Sequence, residues 1–244
     1  MMKLQQTSDG YQEQLQRWVG ALTTGDLREM YDALSEGEAG DVRRFLDNGV
    51  GERRKLLRQE LAFVALAFDD FEDLVSDYVR SMPQTAYDPA RSDREQFLCW
   101  LRQTRLLTAM QGDFVAYQEA EYAVAALART RRPQHLTFQR MATRARQRTA
   151  RLDTDSALLI HLNPIRMWTR LALPGRDLGE VLFFAAGDRV ASVGLDSPAP
   201  EIAHLLATRP RTLEECTSRL RPVSREEIAV ACRDLADKGL VAFA

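Results

Sequence analysis

Apolar positions follow a period of three to four residues through the first half of this chain and collect into short strand-like runs in the second. The clearest helical stripe is Phe71, Leu74, Val75, Tyr78, Val79 and Met82. Arg53–Phe68 carries Leu57, Leu61, Val64 and Phe68 in the same way, and Gln111–Arg129 carries Phe114, Tyr117, Val124 and Leu127. Ser92-x-x-Glu95 is a capping box ahead of Phe97, Leu98 and Leu101, and Asp26-x-x-Glu29 opens Asp26–Ser35 in a similar manner. Tyr11–Leu22 adds another short helix. Gly37, Gly40, Gly49 and Gly51 predict an interrupted stretch with one short helix around Val42–Leu46. Pro83 and Pro89 bracket a loop. Residues 1–130 therefore read as an all-α bundle of at least five helices.

From Leu158 the pattern changes. Leu158–Leu162 is a strand candidate ended by Asn163-Pro164, Ile165–Leu173 fits a strand or a short helix, and Pro174–Asp177 is a polar turn. Val181–Ala186 and Arg189–Leu195 read as a hairpin across Gly187-Asp188. Three helices follow, opened by Ser197 with Pro198 and Pro200, by the capping box Thr212-x-x-Glu215 and by the capping box Ser224-x-x-Glu227. Ile228, Ala231, Cys232 and Leu235 form one stripe of the third, Gly239 stops it, and Leu240–Phe243 leaves as a strand. Strand, strand, three helices and a closing strand is the order of a winged helix-turn-helix, a module that binds either DNA or an extended peptide. The predicted fold is mainly α with a small β part: a helical bundle (1–130), an arginine-rich connector (131–155) and a winged-helix domain (156–244).

Apolar residues at 45% and charged residues at 28% describe a globular chain. No apolar run approaches the roughly 18 residues of a membrane span, and the polar stretch Met1–Gln14 is not a signal peptide. Cys99, Cys216 and Cys232 lack CxxC spacing and read as reduced thiols of a cytoplasmic protein. The net charge of −2 conceals a partition. Residues 1–128 hold 14 Lys and Arg against 22 Asp and Glu, residues 129–151 hold eight Arg and no acid, and residues 152–244 hold 11 against 13. The positive charge is therefore in the connector rather than in the winged-helix region.

Catalytic and metal-binding patterns are missing. His135, His161 and His204 have no ligand partner at helical spacing, and no GxGxxG, GxxxxGK[ST] or GxSxG occurs. Glu121 falls on the apolar side of its helix, where pairing with a neighbouring arginine or a place at the rim is expected ahead of catalysis. No catalytic residue, metal site or cofactor is assigned to this chain.

Charge then separates DNA from peptide. Ser224–Lys238 carries Arg225, Arg233 and Lys238 against Glu226, Glu227, Asp234 and Asp237, so a phosphate backbone would be repelled. A peptide needs only an open sheet edge with unpaired N–H and C=O groups. Arg189–Leu195 alternates as such a strand should, with Val190, Ser192 and Gly194 on one side and Ala191, Val193 and Leu195 on the other. The expected peptide contacts are Arg189, Val190, Ala191, Ser192, Val193, Gly194 and Leu195 on the strand, with Arg225, Ile228, Ala229 and Cys232 on the third helix. A DNA-binding regulator with a helical sensor domain is the alternative.

Several short motifs carry a resemblance. They are Asp77–Pro83, the segment Phe97-Leu98-Cys99-Trp100-Leu101, Glu121-Tyr122-Ala123, the run Leu159–Pro164, the hairpin and the three-helix close. Together the chain resembles the partner subunits of multinuclear non-haem iron-dependent oxidative enzymes in the biosynthesis of ribosomally made, post-translationally modified peptides, as in methanobactin and 3-thiaglutamate pathways. The arginine-rich connector and the segment before Asp26 are outside the likeness. The resemblance implies a non-catalytic subunit in a heterodimer with a separate TIM-barrel oxidase that holds the iron. It implies capture of the leader of a precursor peptide by strand addition, so that the peptide's cysteine is presented to the iron. Arg140, Arg144, Arg148, His161 and Asn163 are then the expected contacts with the oxidase. Neither nucleic acid nor a membrane is an expected partner.

Overall fold

A computed structural model describes residues 36–82, 91–144, 148–172 and 179–244. The predicted helices Tyr11–Leu22 and Asp26–Ser35, the loop between Pro83 and Pro89 and the turn at Pro174–Asp177 lie outside these described residues. The protein is mainly helical with a small antiparallel sheet part. Among the described residues no helix is long and apolar enough to cross a membrane. The chain divides into two compact units, Met1–Gln111 and Gly112–Ala244.

Among the described residues, the first unit's earliest helix is α1 (Glu36–Glu60), continuous where the glycines predicted a break. Each of Gly37, Gly40, Gly49 and Gly51 keeps a negative φ, and none has an atom within 4 Å of where a Cβ would sit. The helix therefore runs through them at an intrinsic cost of about 1 kcal/mol each, while Leu57 anchors its far end in the core. The stripe from Leu57 to Phe68 is buried as expected, but the backbone turns at Leu61 into the single turn α2 (Ala62–Ala65). α3 (Phe71–Ser81) buries Phe71, Leu74, Val75, Tyr78 and Val79, the predicted stripe except for Met82, which follows the helix and is half-buried. α4 (Asp93–Thr104) starts at the predicted Ser92 and Glu95 capping box. Tyr78, Phe97 and Trp100 form an aromatic cluster, with Tyr78 5.2 Å from Phe97 edge-on and 5.5 Å from Trp100.

Arg53 ties α1, α3 and α4 together. Its guanidinium donates two 2.6 Å bonds to the Asp93 carboxylate and a third to the Met82 carbonyl, and it lies 4.9 Å over the Tyr78 ring. The Tyr78 hydroxyl donates to the same carboxylate at 2.7 Å. Burial raises the Tyr78 phenol above its ordinary pKa, and the bond to Asp93 adds to the rise.

The long helix α5 (Ala109–Thr130) leads into the second unit, where it packs on a sheet through Tyr117, Ala120 and Val124. The division after Gln111 thus falls within the first turn of this helix, whereas the sequence placed it in the connector. α6 (Arg132–Thr143) follows, within the stretch read as the arginine-rich connector. Next come β1 (Leu159–Leu162), β2 (Arg166–Leu171), β3 (Gly179–Ala186) and β4 (Arg189–Gly194). α7 (Ala199–Leu206), β5 (Arg211–Thr212), α8 (Leu213–Arg219), α9 (Arg225–Asp237) and β6 (Val241–Phe243) complete the chain. Both predicted capping boxes are formed, at Thr212 and Ser224.

The strands make two three-stranded antiparallel sheets, ordered β5-β1-β6 and β2-β3-β4. The closing strand β6 pairs with β1, with Ile160 opposite Phe243, rather than with the hairpin. β3 is buried on both sides. Val181, Phe183 and Ala185 face α5, while Leu182 and Phe184 face the core of α7, α8 and α9 with Ile202, Ile228 and Leu235. Each such fully buried large apolar side chain contributes about 1.5–3 kcal/mol.

Candidate functional site

Gly187, at φ 68°, and Asp188 make the two-residue turn that predicted the hairpin, and the register runs from Ala186 opposite Arg189 to Val181 opposite Gly194. The Ala185 N–H donates across to Ile165, away from β4. Alternation along β3 then turns Phe184 and Leu182 towards β4, where they bond Ala191 and Val193. The main-chain groups of Val190, Ser192 and Gly194 consequently point outward, and among the described residues no strand pairs with them.

Side chains close the two faces of β4 and leave its edge. Val190 packs with the helix α5 side of the sheet, and Ser192 Oγ is 2.7 Å from the Tyr117 hydroxyl. Ala191, Val193 and Leu195 pack toward the helical core. The alternation expected from the sequence is thus present, and an approaching chain meets backbone rather than an exposed apolar face.

Beyond Gly194 the edge leads into a groove of about 600 Å³ between Leu195–Ala199 and the outer side of α9. Its helix wall is Glu226, Glu227, Val230, Ala231 and Asp234, with Val230 56% exposed. This corrects the helix residues expected in the groove. Ile228, Ala229 and Cys232 are at most 1% exposed and belong to the core. At 100° per residue, the stripe that packs inward cannot also face the groove. Arg225 instead donates to the Asp153 carbonyl at 3.0 Å, and Arg233 pairs with the Asp153 carboxylate. No arginine face forms on α9.

The chain matches no protein-family model and no curated protein sequence.

The residues expected to meet an oxidase are arranged differently from one another. Arg140 and Arg144 are exposed on α6 and just beyond it. Arg148 instead donates at 2.7 Å to the Phe243 carbonyl, covering an outward group of edge strand β6. Asn163 is completely buried and cannot be a contact residue. Its amide donates to the Ala185 carbonyl at 2.8 Å and accepts from the Ile165 N–H at 3.0 Å, joining the β1–β2 turn to β3. Asn163→Asp is therefore expected to cost about 3 kcal/mol, because the carboxylate faces a carbonyl it cannot donate to in a dry site. Urea unfolding of the two chains measures it.

His161, on β1 opposite Ala242, is half-buried with an unpartnered Nε2, and burial lowers its pKa. The unfolded chain then binds a proton more readily than the folded one. Stability contributed by neutral His161 is present above the unfolded pKa of about 6.5 and is lost as pH falls below it toward the lowered folded value. His161→Gln is expected to flatten the fall in melting temperature between these two pKa values, as read by thermal melts.

Glu121 meets no arginine among the described residues; Gln118 donates to it at 2.6 Å. The buried thiols are inert in character: burial pushes Cys216 up to about 11 and raises Cys232 further. His204, stacked on Trp168 at 4.4 Å, is 3.1 Å from Glu180.

Proposed function

We propose that this protein is the peptide-recognising, non-catalytic partner subunit of a multinuclear iron oxidase, acting in the cytoplasm as a heterodimer. In this reading the helical first part is a bundle, and the hairpin with α7, α8 and α9 is a winged-helix-type module. The closing strand of that module pairs with β1. The leader of a ribosomally made precursor adds as a strand to β4, and the side chains beyond it enter the groove along α9. Holding the substrate in this way raises its local concentration at the iron of the partner, which does the chemistry.

The observation that carries the reading is the open β4 edge, with the outward groups of Val190, Ser192 and Gly194 running into the α9 groove. The resemblance supplies the identity of the partner and of the peptide. β2 has a second unpaired edge, but neither the groove nor Val230 borders it. The acidic wall Glu226, Glu227 and Asp234 disfavours the alternative DNA-binding reading.

Titrating a fluorescent precursor peptide, taken from the short reading frames beside this gene, tests the proposal. Saturable binding that requires the leader is expected, with co-elution of the oxidase. Absence of saturable binding with and without the oxidase overturns it.

A further inference from the structure

The turn end of β4 carries a feature that strand pairing alone does not use. A cavity of about 560 Å³ opens between the last turns of α5, the first turn of α6 and the β3–β4 turn. Arg129, Arg132 and Arg189 line it, with Asp188 as the one carboxylate residue in its wall. All three arginines are exposed, and among the described residues none of them is in an ion pair. His135, 7% exposed, also lines the cavity. Its Nε2 is 2.9 Å from the Gly187 carbonyl oxygen and its Nδ1 has no hydrogen-bond partner. Arg132 and His135 belong to the first turn of α6, where the positive end of the helix dipole adds to the guanidinium charge. Three guanidiniums against one carboxylate leave the cavity wall with an excess of positive charge, and a ligand carboxylate that accepts from two donors at once offsets it.

The groove at the other end of β4 has the opposite sign. Asp196, Glu226, Glu227 and Asp234 line it against Lys238, which itself pairs with Asp234. The six residues of β4 separate the two regions by roughly 20 Å. A nucleic acid strand, negative along its whole length, would be attracted at one end and repelled at the other. A peptide can change sign within that distance.

We infer that Arg129, Arg132 and Arg189 form a subsite for the acidic side chains of the peptide that pairs with β4. The captured segment then carries Asp or Glu beside the β3–β4 turn and Lys or Arg beside α9. The inference rests on the strand-addition reading and adds to it the charge order of the peptide.

A displayed library of random peptides of about twelve residues, twice the length of β4, is panned on the full chain, on Arg129→Glu/Arg132→Glu and on Ser192→Pro. The wild type is expected to enrich peptides with an acidic cluster at one end of a β-branched segment. Exchanging those acids for lysine in a selected peptide weakens binding to the wild type about tenfold and strengthens binding to the charge-reversed chain. Equal enrichment of acids by both chains, or none by the wild type, overturns the inference, provided circular dichroism shows the charge-reversed chain folded. Loss of all enrichment in Ser192→Pro without any acid preference in the wild type leaves strand addition standing and removes the arginine subsite. Acid-dependent enrichment that survives in Ser192→Pro keeps the subsite but overturns the inference as stated, because the peptide is then not paired on β4. A fluorescent oligothymidylate that binds the wild type at physiological salt and is lost in the charge-reversed chain reassigns the cavity to nucleic acid and overturns the inference.

Discussion

Ser192→Pro is expected to abolish peptide capture while leaving the chain folded. The Ser192 N–H points away from β3, so proline removes a donor that an incoming strand would use and no bond of the existing ladder. Its ring also occupies the space where the added backbone must approach, the device by which natural sheets blunt their edges. Loss of one main-chain bond together with this obstruction predicts binding weaker by more than about tenfold. Ser192→Ala is the control, because it removes the 2.7 Å bond to Tyr117 and keeps the N–H. It is expected to bind normally and to lose about 1 kcal/mol of stability. Two further positions locate the effect. Ala191→Pro breaks a bond to β3 and is expected to destabilise the sheet, whereas Arg170→Pro, on the outer edge of β2, should leave capture unchanged. Fluorescence anisotropy with the leader peptide, beside urea unfolding, measures both quantities. Binding by Ser192→Pro equal to that of the wild type would remove β4 as the docking strand.

Local chemistry was legible in the chain, and pairing across distance was not. The capping boxes at Ser92, Thr212 and Ser224 involve residues three apart, and all three are formed. The alternation of Val190 to Leu195 is equally local, because the period of a strand sets it. By contrast, nothing in Leu240–Phe243 specifies that β6 pairs with β1 instead of the hairpin. β5 is two residues long, too short for any periodic signal. The glycines misled because flexibility permits a break without demanding one, and nothing packs close enough to force it. The helix contacts were misplaced for a different reason. Ile228 and Cys232 share the stripe that the same sequence assigns to the core, so the groove face had to be Glu226, Glu227, Val230 and Asp234. The arginine cavity joins residues from α5, α6 and β4, and only the excess of arginine in residues 129–151 foreshadowed it.

Arg53→Ala is expected to destabilise the first unit by about 3 kcal/mol. Arg53 is 8% exposed and sits 40 residues from Asp93, so the pair fastens α1 to the start of α4. Truncating the arginine leaves the Asp93 carboxylate with the Tyr78 hydroxyl as its remaining side-chain donor, and the Met82 carbonyl loses its guanidinium donor. Removing one partner of a buried pair costs roughly 3–5 kcal/mol. The Asp93 side chain is 34% exposed, so water takes up part of the lost interaction and the lower end applies. Burying the cation was itself costly, which gives the double change a different expectation. Arg53→Met with Asp93→Asn removes both charges, and its total loss should be smaller than the sum of the single losses, the difference measuring the coupling. Tyr78→Phe keeps the ring against Phe97 and Trp100 and loses only the hydroxyl bond, an expected 1 kcal/mol or so. Urea unfolding followed by the fluorescence of Trp100, whose ring is 5.5 Å from Tyr78, reports on this cluster in a chain whose Trp18 and Trp168 are replaced by Phe. Additive losses for Arg53 and Asp93 would show that the two side chains stabilise the unit independently, and the fastening of α1 to α4 would have to come from the apolar contacts of Leu57 and Leu61 instead.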